Sequence, residues 1–412
     1  MRISLSLAVL VLAVGCGSSN SSGGGGGSAT GGGSATGGGA ATGGGAATGG
    51  GAATGGGAAT GGGAATGGGA ATGGGAATGG GAATGGGSAT GGGSADAGQP
   101  ITADAGVWTF VQFPDSHCAN GSPAAIGVNL VPGATELAVY FEGGGACWST
   151  LTCYQLMTAI NINNDYTETD FNNDIGTISG AGFFDRDAGT PFANADWVYV
   201  PYCTGDVHSG TKDQNYSGAD GGLITHHEGG LNVDAFLRRL GPTIPNPSQI
   251  WLSGSSAGAF GAELNIERFS AVYPNAHIDV LSDSGPFIQD PVWPTTQAAW
   301  DPVIPTCPGC TNLPDYLTAL QSLHPTTRWG LLSYDKDGVI SQFFQLTGTQ
   351  FQTELNTLIT SNYGTANSKS FVLSGTTHTL LGGYNTTQGA NESLKKFVDD
   401  WATGSANWAS DP

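Results

Sequence analysis

The stretch Gln249-Ile250-Trp251-Leu252-Ser253-Gly254-Ser255-Ser256-Ala257-Gly258 constrains the fold more than any other part of this 412-residue chain. A short apolar run of strand character enters G-x-S-x-G, and a helix-compatible segment follows, from Phe260 through Leu264 and Ile266 to Phe269. Glycines on both flanks let the backbone reverse sharply from strand to helix. The middle residue is then held on a strained turn, its hydroxyl exposed above a helix N-terminus. A serine hydroxyl is a weak nucleophile until a base takes its proton. The pattern therefore carries chemistry only if a base and its supporting acid follow.

The rest of the folded region has the alternation such an elbow needs. Strands are expected near residues 108–113 and 125–131. The continuous apolar runs Leu137-Ala138-Val139-Tyr140-Phe141 and Trp197-Val198-Tyr199-Val200 suit strands buried on both faces. Val233, Phe236, Leu237 and Leu240 fall at helical spacing, with Asn232 as the expected N-cap. Further strands are expected at 278–281, 329–333 and 371–373. Further helices are expected around Leu317, Leu320 and Leu323, near 351–359, and near 394–401. Strands interleaved with helices predict an α/β fold of the hydrolase type, a mostly parallel sheet covered on both faces. Two long connections, 163–195 and 284–312, are expected to rim a substrate cleft.

In this fold the triad runs in chain order serine, acid, histidine, each partner on a loop after a strand. His378 lies in Gly375-Thr376-Thr377-His378, directly after the last expected strand, where it would take the proton of Ser256. The preceding strand ends in Tyr334-Asp335-Lys336-Asp337-Gly338. Asp335, nearest the strand end, is the expected acid. Asp337 is the alternative, and whichever of the two is not the acid is expected to be a turn residue, since Asp-Gly neighbours commonly make turns. The Asp-x-Asp-Gly string lacks the remaining ligands of a calcium loop. Glu142-Gly143-Gly144-Gly145 follows a strand and lets backbone N–H groups approach a developing oxyanion. Those of Gly144, Gly145 and Ala257 are the expected donors.

The chain begins with an apolar run at residues 3–14 before Gly15-Cys16, too short to span a bilayer. It reads as an export signal over 1–15, with Cys16 as the lipidated N-terminus of a bacterial lipoprotein. Residues 25–96 are twelve copies of a hexapeptide, G-G-G-[A/S]-A-T, the last ending in Asp96. With no large apolar side chain the repeat has no core to offset backbone entropy, so 16–98 is expected to be a flexible tether. The folded domain is expected over 99–412. It holds ten basic against thirty acidic residues, a net −20, which argues against nucleic-acid partners. Membrane contact is expected only through the lipid. Six further cysteines in an exported chain predict three disulfides. Cys307-Pro308-Gly309-Cys310 is read as a local one, and no metal or cofactor is expected.

The chain resembles the pectin acetylesterase family, which includes the Notum carboxylesterases. The likeness rests on Cys118-Ala119-Asn120-Gly121-Ser122-Pro123, Phe141-Glu142-Gly143-Gly144-Gly145 with Cys147 and Cys153, and Val200-Pro201-Tyr202-Cys203 with Gly205-Asp206-Val207-His208-Ser209-Gly210. The elbow and Leu264-Asn265 complete it. It spans most of the region from Cys118 to His378. The resemblance implies the triad Ser256, Asp335 and His378 and the same oxyanion hole. It also implies disulfides Cys118–Cys203 and Cys147–Cys153, leaving Cys307–Cys310. The activity implied is hydrolysis of carboxylic esters on polysaccharide or protein hydroxyls. Two departures stand out: Gly258 is followed by Ala259 where the family often has a second glycine, and Gly145 stands where it usually has a large aromatic.

His226-His227-Glu228 has metal-ligand residue types but no third ligand evident in the sequence, and is read as loop or pocket rim. His208 with Asp206 is read as cleft lining or structural support. The expected protein is an exported, monomeric serine carboxylesterase acting on an acylated carbohydrate or other ester. A longer-chain lipase or polyester esterase, and an inactive surface binding module on the same fold, are the alternatives.

Overall fold

The structure, a computed structural model, describes residues 98–412 apart from 179–181, 187–188, 217–222, 304–306 and 308. Before residue 98 only Ala35–Thr36, Ala53–Thr54 and Ala71–Thr72 are described, their backbones pairing in parallel three hexapeptides apart. The export segment, Cys16 and the rest of the repeat lie outside the described residues.

Eight strands form the main sheet: β1 (Thr109–His117), β2 (Pro123–Asn129), β3 (Glu136–Phe141), β4 (Asp196–Val200), β7 (Gln249–Ser255), β8 (His277–Asp283), β9 (Trp329–Tyr334) and β10 (Ser368–Leu373). Between β4 and β7, strands β5 (Lys212–Tyr216) and β6 (Leu223–His227) make a separate antiparallel hairpin that sequence reading missed. The sheet order is β10-β9-β8-β7-β3-β4-β2-β1. The six strands from β10 to β4 are parallel, and β2 and β1 continue antiparallel. The central strands are buried along nearly their whole length, which is why they read as unbroken apolar runs.

Helices cover the faces: α1 (Glu168–Ile178), α2 (Gly229–Thr243), α3 (Ala257–Leu264), α4 (Ile266–Val272), α5 (Trp293–Trp300), α6 (Leu313–Leu323), α7 (Gly338–Phe343), α8 (Gly348–Asn362) and α9 (Leu394–Thr403). The elbow helix is broken at Asn265, whose side-chain amide donates to Gly261 O and His208 O, so α3 and α4 are separate. Asn232 is not the N-cap of α2. The helix starts one turn earlier, at Gly229, and the Asn232 amide clamps the backbone of His117 at the end of β1.

On one side of the sheet, Phe183, Phe192, Trp197, Trp251 and Trp401 make a continuous aromatic cluster. None of the described residues of the connection 163–195 lines the cleft beside Ser256. Its α1 packs Phe171 against Trp108, Phe110 and Tyr199 on the sheet. Disulfides join Cys118–Cys203, Cys147–Cys153 and Cys307–Cys310. The Cys118–Cys203 bridge ties the end of β1 to the loop leaving β4.

Candidate active site

Register brings the site together. Gly254 pairs with Phe141, Ser255 with Asp283, and Tyr334 with Leu373. The loops after β3, β7, β8, β9 and β10 therefore leave from the same, carboxyl edge of the sheet, where open parallel sheets hold their ligands.

Ser256 sits between β7 and α3 with φ 56° and ψ −123°, a left-handed conformation that a non-glycine residue adopts only when its surroundings impose it. What imposes it is close packing behind the turn. A Cβ on Gly258 would lie 1.9 Å from Phe141 O, so the helix can approach β3 only with glycine there. The Ser256 N–H donates to Asp283 O at 2.8 Å, anchoring the elbow to β8.

Asp283 had no assigned part in the sequence reading, and it is the hub of the edge. Its carboxylate accepts from Ser255 Oγ at 2.7 Å and from the N–H groups of Leu380 and Leu381 at 2.8 and 3.0 Å. Beside them, the Thr379 N–H donates to Ser284 Oγ at 3.0 Å. The segment carrying His378 is thus bolted to the strand next to the elbow. Burial raises the Asp283 carboxyl, opposed by these hydrogen bonds and by nearby His378. The signal available in the sequence was the polar Ser282-Asp283-Ser284 at the end of an apolar strand.

The carboxylate that meets His378 is Asp337, not Asp335. His378 Nδ1 lies 2.7 Å from Asp337 Oδ2, and the Asp337 side chain is fully buried. Its other oxygen accepts from the N–H groups of Val339 and Ile340, capping α7. Asp335 instead extends the β9 ladder, its N–H donating to Leu373 O. Its carboxylate is spent on the Gly375 N–H and on Gln352, both at 2.8 Å. A residue that prolongs a strand is held by its neighbour strand. Two residues later the chain turns into a helix, and the cap carboxylate is aimed inward. With Nδ1 donating to Asp337, the histidine is the tautomer whose Nε2 carries a lone pair, and that Nε2 is buried without a hydrogen-bond partner.

The glycine loop passes directly against Ser256: a Cβ on Gly143 would lie 3.0 Å from Ser256 Cβ. Ile160 N–H donates to Gly144 O and Ala146 N–H to Thr158 O, a pairing in which the N–H of Gly145 faces away from the partner segment. Gly145 has φ +79°, and a Cβ there would meet Thr158 O at 2.0 Å. The aromatic usual at this position in the family would have no room. Ala257 supplies the first N–H of α3.

Glu142 and His208 support that loop. His208 is buried between Phe141 and Tyr202, and its Nε2 lies 2.8 Å from Glu142 O. Burial pushes His208 down to about 4, so the ring is neutral and donates to that carbonyl. The Glu142 carboxyl accepts from the Tyr202 N–H. Burial, reinforced by Asp174, pushes it up to about 8. Asp206 is wholly buried and accepts from Thr204 Oγ1 and the N–H groups of Gly210 and Gly229, a structural role.

Beside Ser256 opens an apolar cleft walled by Trp148, Phe260, Trp293, Trp300, Phe343 and Phe344. The connection 284–312 does rim this cleft, because it folds into α5. Trp300 Nε1 donates to Cys147 O, locking that wall to the small disulfide loop. Asp290 is the one ionisable side chain among the described lining residues, and burial pushes it up to about 6.

The pectinacetylesterase family profile matches residues 104–308. Over that span the chain belongs to the pectinacetylesterase family. It is 28% identical over 184 residues to the Mus musculus palmitoleoyl-protein carboxylesterase NOTUM, covering 42% of this chain and 34% of that protein. To the Homo sapiens protein of the same name it is 27% identical over 182 residues, 42% of this chain and 34% of that protein. A Danio rerio protein named inactive palmitoleoyl-protein carboxylesterase notum1b is 30% identical over 111 residues, 25% of this chain and 74% of that protein. The chain thus matches about a third of the length of the mouse and human relatives. The pectinacetylesterase match contains the glycine loop and the elbow and ends before Asp337 and His378, whose pairing is a finding of the structure.

Proposed function

We propose that the protein is a carboxylic ester hydrolase working through an acyl-enzyme on Ser256, with His378 as base and Asp337 as the acid. The observation that carries this is the His378 ring, fixed at Nδ1 and open at Nε2, on the edge that holds Ser256 on its left-handed turn. Nε2 takes the Ser256 proton as Oγ attacks the ester carbonyl. Asp337 stabilises the imidazolium that results. The oxyanion is received by the N–H groups of Gly144, Gly145 and Ala257, each such donor worth roughly 3 kcal/mol of barrier. His378 returns its proton to the leaving alcohol, and water then releases the acid by the same steps reversed.

The apolar cavity beside Ser256 favours an acyl chain longer than acetyl, since an acetyl group would leave most of its aromatic wall uncovered. The relatives' names, which specify a palmitoleoyl protein as substrate, support the same direction. The alcohol is carried by a macromolecule, protein or glycan, outside the cell. Three disulfides among the described residues accord with export, and no helix there is long and apolar enough to cross a membrane. Lipid attachment at Cys16 and action as a monomer belong to the same proposal.

A p-nitrophenyl ester series from two to twelve carbons, with fluorophosphonate labelling, tests it. Labelling at Ser256 and kcat/KM rising beyond the acetyl ester are expected. An optimum at acetyl would return the reading to deacetylation, and absence of both labelling and turnover would leave a binding module.

A further inference from the structure

Strand alternation divides His226-His227-Glu228 between two environments. His227 points inward, with its ring nitrogens 2.8 Å from Thr204 O and 2.9 Å from Tyr216 Oη. His226 and Glu228, two residues apart, emerge on the opposite side. There they meet His117, the last residue of β1. The nitrogen and oxygen ligand atoms of His117, His226 and Glu228 all lie within 4.8 Å of one another.

The geometry points to a divalent transition-metal site, zinc by its donor set, formed by His117, His226 and Glu228 with Asp213 as a fourth ligand. Two imidazoles and two carboxylates make an N₂O₂ set of the kind that holds zinc tetrahedrally. His117 Nδ1 is 2.7 Å from Glu228 Oε2. His226 Nδ1 is 2.6 Å from Asp213 Oδ1 and 3.9 Å from Glu228 Oε1. This His226 nitrogen is buried and has no hydrogen bond, so its close approach to Asp213 lacks the alignment of a donor and acceptor. The two imidazole rings lie 5.2 Å apart between centroids. Ligands bound to zinc at about 2.0–2.1 Å stand roughly 3.3 Å from each other. The three mutually close ligand atoms need to draw in by up to about 1.5 Å, and Asp213, which stands beside His226 but outside that group, needs to swing toward the other two.

The scaffold beneath is rigid. Asn232 holds the His117 backbone at both its N–H and its carbonyl, and the neighbouring Cys118 is in a disulfide. The His226 N–H donates to Ala119 O, and Asp213 is its cross-strand partner in the hairpin. The side chains keep 17–54% of their exposure, which leaves a path for an ion. A nearby trio, Cys147, Cys153 and His227, offers no such site, because both sulfurs are spent in a disulfide. A metal at the first cluster would pin the end of β1, the β5–β6 hairpin and the start of α2 to one point.

Full-length protein made without a histidine tag, stripped with EDTA and dialysed against zinc, provides the test. One equivalent of zinc is expected, with a rise in Tm that chelator reverses. His117→Ala and His226→Ala should each weaken binding at least about tenfold, and Glu228→Gln should do the same. His324→Ala, whose imidazole pairs with Glu267 elsewhere, should leave it unchanged. No bound zinc in the wild type, or binding that survives both His117→Ala and His226→Ala, would overturn the site.

Discussion

His208 and His378 stand on loops at the same carboxyl edge of the sheet and have opposite fates. His208 is sealed between two aromatic rings, held neutral by burial, and its Nε2 is committed to the Glu142 carbonyl. His378 has its Nδ1 committed to a buried carboxylate and its Nε2 left without a partner. The residue type is common to both. What separates a strut from a candidate base is whether the second nitrogen is spent, and a protein decides that by what it packs around the ring.

Four experiments press on that contrast. Ser256→Ala and His378→Ala are each expected to lower kcat by about 10⁶-fold, and the double variant to fall little further, because residues acting as a unit are not additive. Asp337→Asn should cost about 10⁴-fold through the wrong tautomer, and Asp335→Asn less than about tenfold. Steady-state kinetics with the two reversed would hand the acid role back to Asp335. His208→Gln should lower kcat roughly 10–100-fold through a displaced glycine loop, with KM and the pH profile unmoved. A shifted pH profile in that variant would make His208 a participant in proton transfer.

The smallest effect is on stability. Glu142 has a folded pKa raised to about 8, so the native state holds its proton more tightly than the unfolded chain, and stability falls as pH rises from about 4.5 to 8. His208, lowered to about 4, does the reverse, and stability falls as pH drops from about 6.5 to 4. The two slopes cancel where they overlap, so melting temperature should be flat between about pH 4.5 and 6.5 and fall on either side. Glu142→Gln should flatten the alkaline limb, each kcal/mol recovered raising Tm by about 2–4 °C. An unchanged alkaline limb in that variant would mean that Glu142 is already ionised in the fold.

All eight strands of the main sheet were legible in the sequence, the central ones because a strand buried on both faces writes itself as an apolar run. The elbow and glycine loop were legible for a related reason: a chain that must reverse within a few residues, or pass against another backbone, has to use glycine at stated places. The β5–β6 hairpin was not, since Lys212-Asp213-Gln214-Asn215 carries no apolar alternation. The pocket wall at α5 was read only as a long connection, its eight residues being too few, and three of them in a row polar, to show a helical period.

The sequence by itself determined the α/β order, the elbow serine and the chain position of its histidine, since each follows from local periodicity or local sterics. Only the tertiary structure showed which of Asp335 and Asp337 meets His378, named Asp283 as the hub, and brought His117 to His226 and Glu228. Each of those depends on partners dozens of residues away, and two carboxylates two positions apart look alike until the strand ends and the helix begins.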